Sequence, residues 1–342
     1  MKKMKKIIIR CLTVPSKGYG NFNRCLYFAE SLRKKNCNVF FIVDSNKVAF
    51  NELKKRQLDY LSIPTTKTHF QKTSIFTKFL KNNFFDLCVL DMREYGEKLS
   101  KNLFENNLKH VLFDDAWCKR AYANIIFNGT NVKEYHNYEI VNENSRLCLG
   151  VNYWIIDKNF KTYAKKPSSI KPKKIFSIVI SMGGSDPYNL TTIVVKSLMK
   201  IPNLHLLIVV GSFFSHKNLL KELIKFNPKI SLHESPDKIW KIFSKADLAI
   251  SNGGNTLFEL TCMGVPTICI PMVKHEIKYT QEFSSKNCTL NLKLREKNHS
   301  KIRSGVIELL ENTQLRKTMS IHSQKTIDGK GLNRVLNKIW EL

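Results

Sequence analysis

The chain has 342 residues, 43% of them hydrophobic and 25% charged, with a formal net charge of +28 at pH 7. That length exceeds what one growing core supports, so two domains are expected, and the composition excludes a disordered or collagen-like chain. The positive excess points to phosphates, nucleic acid or an acidic membrane face without choosing among them, and a lysine-rich composition with no target would also produce it.

The N-terminal MKKMKKIIIRCL begins basic, but its apolar segment is short and no small-residue cleavage site follows. No apolar run reaches the length of a membrane span, so a cytoplasmic protein is expected. The nine cysteines are odd in number and lack CxxC spacing. Cys25, Cys88, Cys148, Cys262 and Cys269 therefore read as buried small hydrophobes, with no catalytic thiol and no metal site.

Along the first half, IIIRCL near Ile7, VFFIV from Val39, DLCVLD from Asp86, HVLFDD from His110 and NIIFNG from Asn124 alternate with helical patterns. This predicts parallel βα units. After the first strand, PSKGYGNFNR leads into a helix with Phe22, Cys25, Leu26, Ala29 and Leu32 at helical spacing. Gly18 and Gly20 allow a tight turn, and the helix start offers N–H groups to an anion or sugar, although a plain βα turn looks the same.

The stretch Asp157–Ile175, rich in Lys, Ser and Pro and without periodicity, reads as a linker between domains 1–165 and 166–342, with the last helix a candidate to pack back on the first domain. The second half repeats the pattern with IFSIVISM, HLLIVVG, ISLHES, LAISNGG and TICIPM as strands. In such sheets ligands bind at the strands' carboxyl ends, so the loops there are the candidates. In SMGGSDPYN, Gly183 and Gly184 allow close approach of a ligand or another backbone, and Ser185 or Asp186 is either a ligand contact or a helix cap. In SNGGNTLFEL, the amides of Gly253, Gly254, Asn255 and Thr256 could cradle a diphosphate while Glu259 accepts ribose hydroxyls or completes a capping box.

Together GYGNFNRCL, LDMREYG, LFDDAW, ISMGGSDPYNL, ISNGGNTLFEL and GVPTICIPM resemble the PseG and SpsG group of GT-B proteins, relatives of the MurG-type N-acetylglucosaminyl transferases. PseG removes UDP from a diacetamido-trideoxy sugar on the way to pseudaminic acid. The resemblance implies an α/β GT-B fold of two Rossmann-like domains with parallel sheets facing across a cleft. It implies that Gly18, Gly20 and Arg24 shape the first site loop, that Tyr95 faces the sugar, and that Gly183, Gly184, Ser185, Gly253, Gly254, Asn255 and Glu259 surround UDP. His275 and Gln281 fall in a sugar-contacting segment.

One position departs from the group. Its hydrolases read GxGHxxR with the histidine as base, whereas this chain has Asn21, and an amide takes no proton near neutral pH. Asp114 or Asp115 is the substitute candidate, with Asp91, Glu94 and His110 behind them. A glycosyltransferase that moves sugar from a UDP- or CMP-sugar to a glycan or lipid-linked acceptor is the leading expectation. A PseG-like UDP-sugar hydrolase and a non-catalytic nucleotide or glycan binder are the alternatives. The nucleotide-sugar is the substrate and no cofactor is expected. Nucleic acid is not expected, because no aromatic-interleaved basic motif is present. Peripheral contact with an anionic membrane is the reading given to the charge, and the PDKIWKIFSKA helix is its candidate, with core packing the commoner explanation for such a stripe.

Overall fold

The computed structural model describes residues 5–14 and 19–342. The chain forms two units, one made of residues up to Ile156 together with Lys330–Leu342, the other of Asp157–Gly329.

The first unit contains β1 (Lys6–Cys11), β2 (Asn38–Asp44), β3 (Asp59–Ile63), β4 (Leu87–Asp91), β5 (His110–Asp114), β6 (Arg120–Ala121), β7 (Ile125–Asn128), β8 (Glu139–Ile140) and β9 (Arg146–Leu149). Seven of them pair in the order β3-β2-β1-β4-β5-β7-β9, while β6 and β8 pair separately. All pairings are parallel. The helices are α1 (Gly20–Arg33), α2 (Lys47–Lys55), α3 (His69–Asn82) and α4 (Gly96–Glu105). Ile7 and Ile9 pack with Phe22, Cys25 and Leu26 of α1, and Ile8 packs on the opposite face with Phe76 of α3 and Leu99 of α4. Covering both faces is why the first strand reads as an unbroken apolar run.

The second unit has β10 (Phe176–Ser181), β11 (Leu204–Val210), β12 (Ile230–Glu234), β13 (Leu248–Ser251), β14 (Thr267–Cys269) and β15 (Thr289–Asn291), ordered β12-β11-β10-β13-β14-β15. These too are all parallel. Its helices are α5 (Lys158–Thr162), α6 (Leu190–Leu198), α7 (Lys217–Ile224), α8 (Ile239–Phe243), α9 (Asn255–Met263), α10 (Lys274–Ser285), α11 (His299–Glu311) and α12 (Thr313–Thr326). The last helix, α13 (Gly331–Trp340), returns to the first unit, where Leu332, Val335, Leu336 and Ile339 join the core beside β1.

In each sheet the strand order reverses beside the first strand, between β1 and β4 and between β10 and β13. Such switch points leave a crevice at the carboxyl ends of the strands. The glycine-pair loops follow β10 and β13, so both lie at one switch point.

One sequence expectation is corrected here. The supposed linker is packed structure: α5 lies within it, Phe160 is fully buried against Trp240 and Phe243, and the Lys165 amide bonds Met263 O at 2.9 Å. The apolar stripe of PDKIWKIFSKA packs in the core, the commoner explanation for such a stripe, with Ile242 and Phe243 buried. All nine cysteines are free and buried, and desolvation pushes Cys262, for example, up to about 12. Among the described residues no helix is long and apolar enough to cross a membrane.

Candidate functional site

In the first unit, polar residues end four strands: Asp44, Asp91, Asp114 and Asn128. Arg24, one turn into α1, reaches the β4 and β5 ends. Its Nε and Nη2 donate to the two Asp91 oxygens at 2.6 and 2.8 Å, and its Nη1 donates to Asp115 Oδ1 at 2.6 Å. Asn21 adds an Nδ2 donor to Asp91 at 2.6 Å. Burial works against the guanidinium charge, but Asp115 and Asp91 raise Arg24 above its ordinary value. Burial likewise lifts Asp91 above the usual carboxylate range, against the pull of Arg24 and Asn21. Arg24 is buried and ties the ends of β4 and β5 together.

The base candidates separate. Asp114 is buried and occupied by the Tyr138 hydroxyl at 2.7 Å and the Trp117 and Cys118 amides at 3.1 and 3.3 Å. Desolvation raises it to about 6, yet it shapes the turn after β5 and is not presented to a reactant. Asp115, with its side chain 16% exposed, is the accessible one of the pair. Asp91 is fully enclosed. His110 starts β5, at the end opposite Asp114, and bonds Ser100 Oγ and Leu108 O, while burial lowers it to about 4. It is a neutral structural group. Tyr95, half-buried after β4, stacks on His69 with ring centroids 3.3 Å apart. Glu94, beside it, lies 3.9 Å from Arg93. Gly20 is the first residue of α1, and Gly18 lies outside the described residues.

In the second unit, Gly183 has φ +77, a left-handed conformation that favours glycine, and Asn252 lies 3.5 Å from where its side chain would begin. Gly184 faces open space on its Cβ side, but its backbone touches Gly211: a Cβ on Gly211 would stand 2.5 Å from Gly184 Cα. The hydroxyl of half-buried Ser185 makes no hydrogen bond among the described residues. Asp186 turns out to be a cap. It is buried and accepts the Leu190 and Thr191 amides at 2.9 and 2.7 Å, so its carboxylate closes the α6 N-terminus to an anion.

At α9 the outcome is the reverse. No side chain caps it, so Glu259 completes no capping box. The Leu257 amide bonds Gly254 O and the Gly253 amide is taken by Glu276, but the N–H groups of Gly254, Asn255 and Thr256 have no acceptor among the described residues. Three neighbouring amides at a helix start form a ready anion cradle, reinforced by the helix dipole. One turn on, Glu259 keeps a partly exposed side chain, yet protein surrounds its carboxyl. Burial, with repulsion from Asp157, pushes it up to about 8, and it makes no hydrogen bond among the described residues.

Sequence reading missed the residue that shapes this loop. Glu276 of α10 accepts Asn252 Nδ2 at 2.8 Å, the Gly253 amide at 3.2 Å and the Met272 amide at 2.7 Å. Its carboxyl is raised by burial, against those three donors. Gly253 is required because a Cβ there would stand 2.7 Å from Glu276 Cβ and 2.9 Å from Thr280 Cγ2. Of the residues expected on this helix, His275 meets the Tyr279 ring at 6.0 Å and Gln281 is exposed. Glu276 and Thr280, one turn apart, are the side chains turned to the loop.

Residues 178–335 match the glycosyltransferase family 28 C-terminal domain. The chain is 26% identical to the spore coat polysaccharide biosynthesis protein SpsG of Bacillus subtilis over 332 residues, covering 95% of each. It is 27% identical over 154 residues to a Helicobacter pylori protein named pseudaminic acid cytidylyltransferase and UDP-2,4-diacetamido-2,4,6-trideoxy-beta-L-altropyranose hydrolase, which covers 45% of this chain but 26% of that protein. Among solved structures, MurG of Acinetobacter baumannii superposes with a TM-score of 0.69 at 13% identity over 99% of this chain and 100% of the other, a likeness of fold. With parallel sheets in two Rossmann-like units, the chain has the GT-B fold, it is similar to the PseG/SpsG group and in fold to MurG, and its residues 178–335 match the family 28 C-terminal domain.

Proposed function

We propose that the protein transfers a sugar from a nucleoside-diphosphate sugar, with UDP as its nucleotide, to a hydroxyl of a glycan or lipid-linked acceptor during synthesis of a surface polysaccharide. The observation that carries this reading is the α9 start, where the amides of Gly254, Asn255 and Thr256 stand without acceptors one turn before the unpaired Glu259. The amides suit the diphosphate, whose negative charge grows as it leaves, and fixed dipoles stabilise such charge without reorganising. Glu259, pushed up to about 8, is able both to donate to one ribose hydroxyl and to accept from the other. Ser185 and Gly184 supply open surface on the neighbouring loop.

On the acceptor side, the hydroxyl attacks the anomeric carbon as the bond to the diphosphate breaks, and its proton passes to a base. Asn21, fixed by Asp91, orients and takes no proton, and Asp115 is the accessible carboxylate beside Arg24. An acceptor positioned by its own binding energy needs less from a base than free water does. The name of the Bacillus subtilis relative supports the polysaccharide setting. The charge of +28 supports a peripheral place on the anionic inner face of the membrane.

A second reading, hydrolysis of a UDP-sugar, rests on the likeness to the Helicobacter pylori protein. Release of UDP from UDP-sugars with and without added glycan acceptor separates the two. Acceptor-dependent release supports transfer, equally fast release without acceptor supports hydrolysis, and UDP binding without either reaction leaves a binding protein. A larger thermal shift with CMP than with UDP would move the donor to a CMP-sugar.

A further inference from the structure

Between α3 and α4 of the first unit runs a groove of about 770 Å³. That is the size of a small-molecule pocket, yet its shape is elongated, because it follows α3 from His69 to Asn82, about 20 Å at 1.5 Å per residue. One end lies at the strand carboxyl ends, beside the stacked His69 and Tyr95.

Six cations line it: Arg10, Lys72, Lys78, Lys81, Lys98 and Lys101. The single lining carboxylate, Glu105, is paired with Lys101 at 3.6 Å. Lys78, Lys81 and Lys98 have no ion pair among the described residues. Lys78 and Lys81 are three apart on one helix, as are Lys98 and Lys101 on the other, a spacing that brings like charges together at a cost. The floor is also positive. Arg10 and Lys72 share Asp44 at 3.1 and 2.8 Å, and all three are buried, which leaves one excess cation out of water. An uncompensated buried charge is expensive unless an anion meets it. Among the lining residues, aromatic rings sit at the mouth, while the Thr73 hydroxyl, the Asn102 NH₂ and the Asn106 amide oxygen are offered along the way, the Thr77 hydroxyl being taken by Thr73 O and Asn102 Oδ1. Those groups suit sugar hydroxyls better than stacked bases.

We propose that this groove binds the acceptor as an extended acidic glycan, its carboxylate or phosphodiester groups spaced along the α3–α4 lysines and its reacting end at Tyr95. The assignment rests on the transferase reading for the word acceptor; anion binding in the groove does not.

The test is calorimetric titration of the full chain at low salt with oligogalacturonate, inorganic polyphosphate, neutral maltohexaose and a thymidine oligonucleotide. Binding of oligogalacturonate marks sugar carboxylates as the anion and binding of polyphosphate marks phosphate oxyanions; either supports the groove. The variant K78E/K81E/K98E should weaken that binding about tenfold or more, whereas K196E/K225E/K238E, with the same charge change on the second unit, should weaken it less than about threefold. Both variants should keep the wild-type melting temperature and thermal shift with UDP. The proposal is overturned if neither anion binds, if maltohexaose binds as well, if the oligonucleotide binds more tightly than both anions, or if the two triple variants lose equally. Loss of the UDP shift from the wild type would instead remove the donor reading and leave the groove standing.

Discussion

Glu276 reaches back from α10 to Gly253: its Oε2 accepts the Gly253 amide at 3.2 Å, and its Cβ lies 2.7 Å from where a Gly253 side chain would begin. The pair fixes the turn that precedes the free amides of α9. Every group that Glu276 meets there is a donor, namely two amides and Asn252 Nδ2. Glu276→Gln would point an NH₂ at one of them. This substitution is expected to cost about 1–3 kcal/mol in urea unfolding and to weaken UDP binding. Unchanged stability would mean that the loop is held by packing alone.

Arg24 and Asp91 form a buried two-bond pair, with Asp115 on the remaining nitrogen. Removing one partner strands the other charge, so Arg24→Met should cost about 3–5 kcal/mol. Adding Asp91→Asn to it should recover part of that loss, because the stranded carboxylate is gone. Unfolding of both singles and the double gives the coupling directly, and additive costs would contradict the pair.

The two glycines in contact, Gly184 and Gly211, should respond oppositely to alanine. Gly211→Ala drives a methyl into the Gly184 backbone and should destabilise by about 1–3 kcal/mol or more. Gly184→Ala places its methyl in open space and should stay within about 0.5 kcal/mol of wild type while lowering nucleotide affinity. If Gly184→Ala binds UDP normally, the β10 loop takes no part in the donor site.

Glu259 makes stability depend on pH. Its folded carboxyl holds a proton up to about 8, whereas its ordinary value is 4.5. The proton favours the folded state, and that contribution fades as pH rises from 4.5 toward 8. Between pH 6 and 9 the wild type should lose on the order of 2 kcal/mol relative to Glu259→Gln, after allowance for solvent screening. Parallel unfolding curves of the two proteins at both pH values check this, and identical losses would mean an ordinary, solvated carboxyl.

Much of this architecture is legible in the sequence because it rests on local signals. Apolar runs such as Ile7–Ile9 and Ile178–Ile180 mark strands buried on both faces, and glycine pairs after β10 and β13 mark the loops. Short edge strands such as Asp59–Ile63 and Thr289–Asn291 carry too few apolar residues to stand out. The segment around Phe160 looks like a linker because its only strong anchor is one aromatic, whose partners Trp240 and Phe243 lie some 80 residues away. The same limit hides Glu276, whose role depends on Asn252 and Gly253 across the chain, and the Arg10–Asp44–Lys72 cluster, whose members come from β1, β2 and α3. Asp186 and Glu259 show the remaining ambiguity. A cap and a ligand contact have the same sequence signature, and only the hydrogen bonds separate them.

If main-chain amides at the start of α9 hold a nucleoside diphosphate, removing one of them weakens binding, which calorimetric titration of UDP into wild type, Asn255→Ala and Asn255→Pro measures. Proline is tolerated at the first helical position, and Gly254 before it is extended at φ −86 and ψ −159, so the fold should survive while one amide disappears. We expect Asn255→Ala to bind UDP within about threefold of wild type and Asn255→Pro to bind about tenfold more weakly, as loss of a hydrogen bond to a charged group requires. Equal affinity for the two variants, or no binding of UDP to the wild type, would mean that these amides hold no diphosphate.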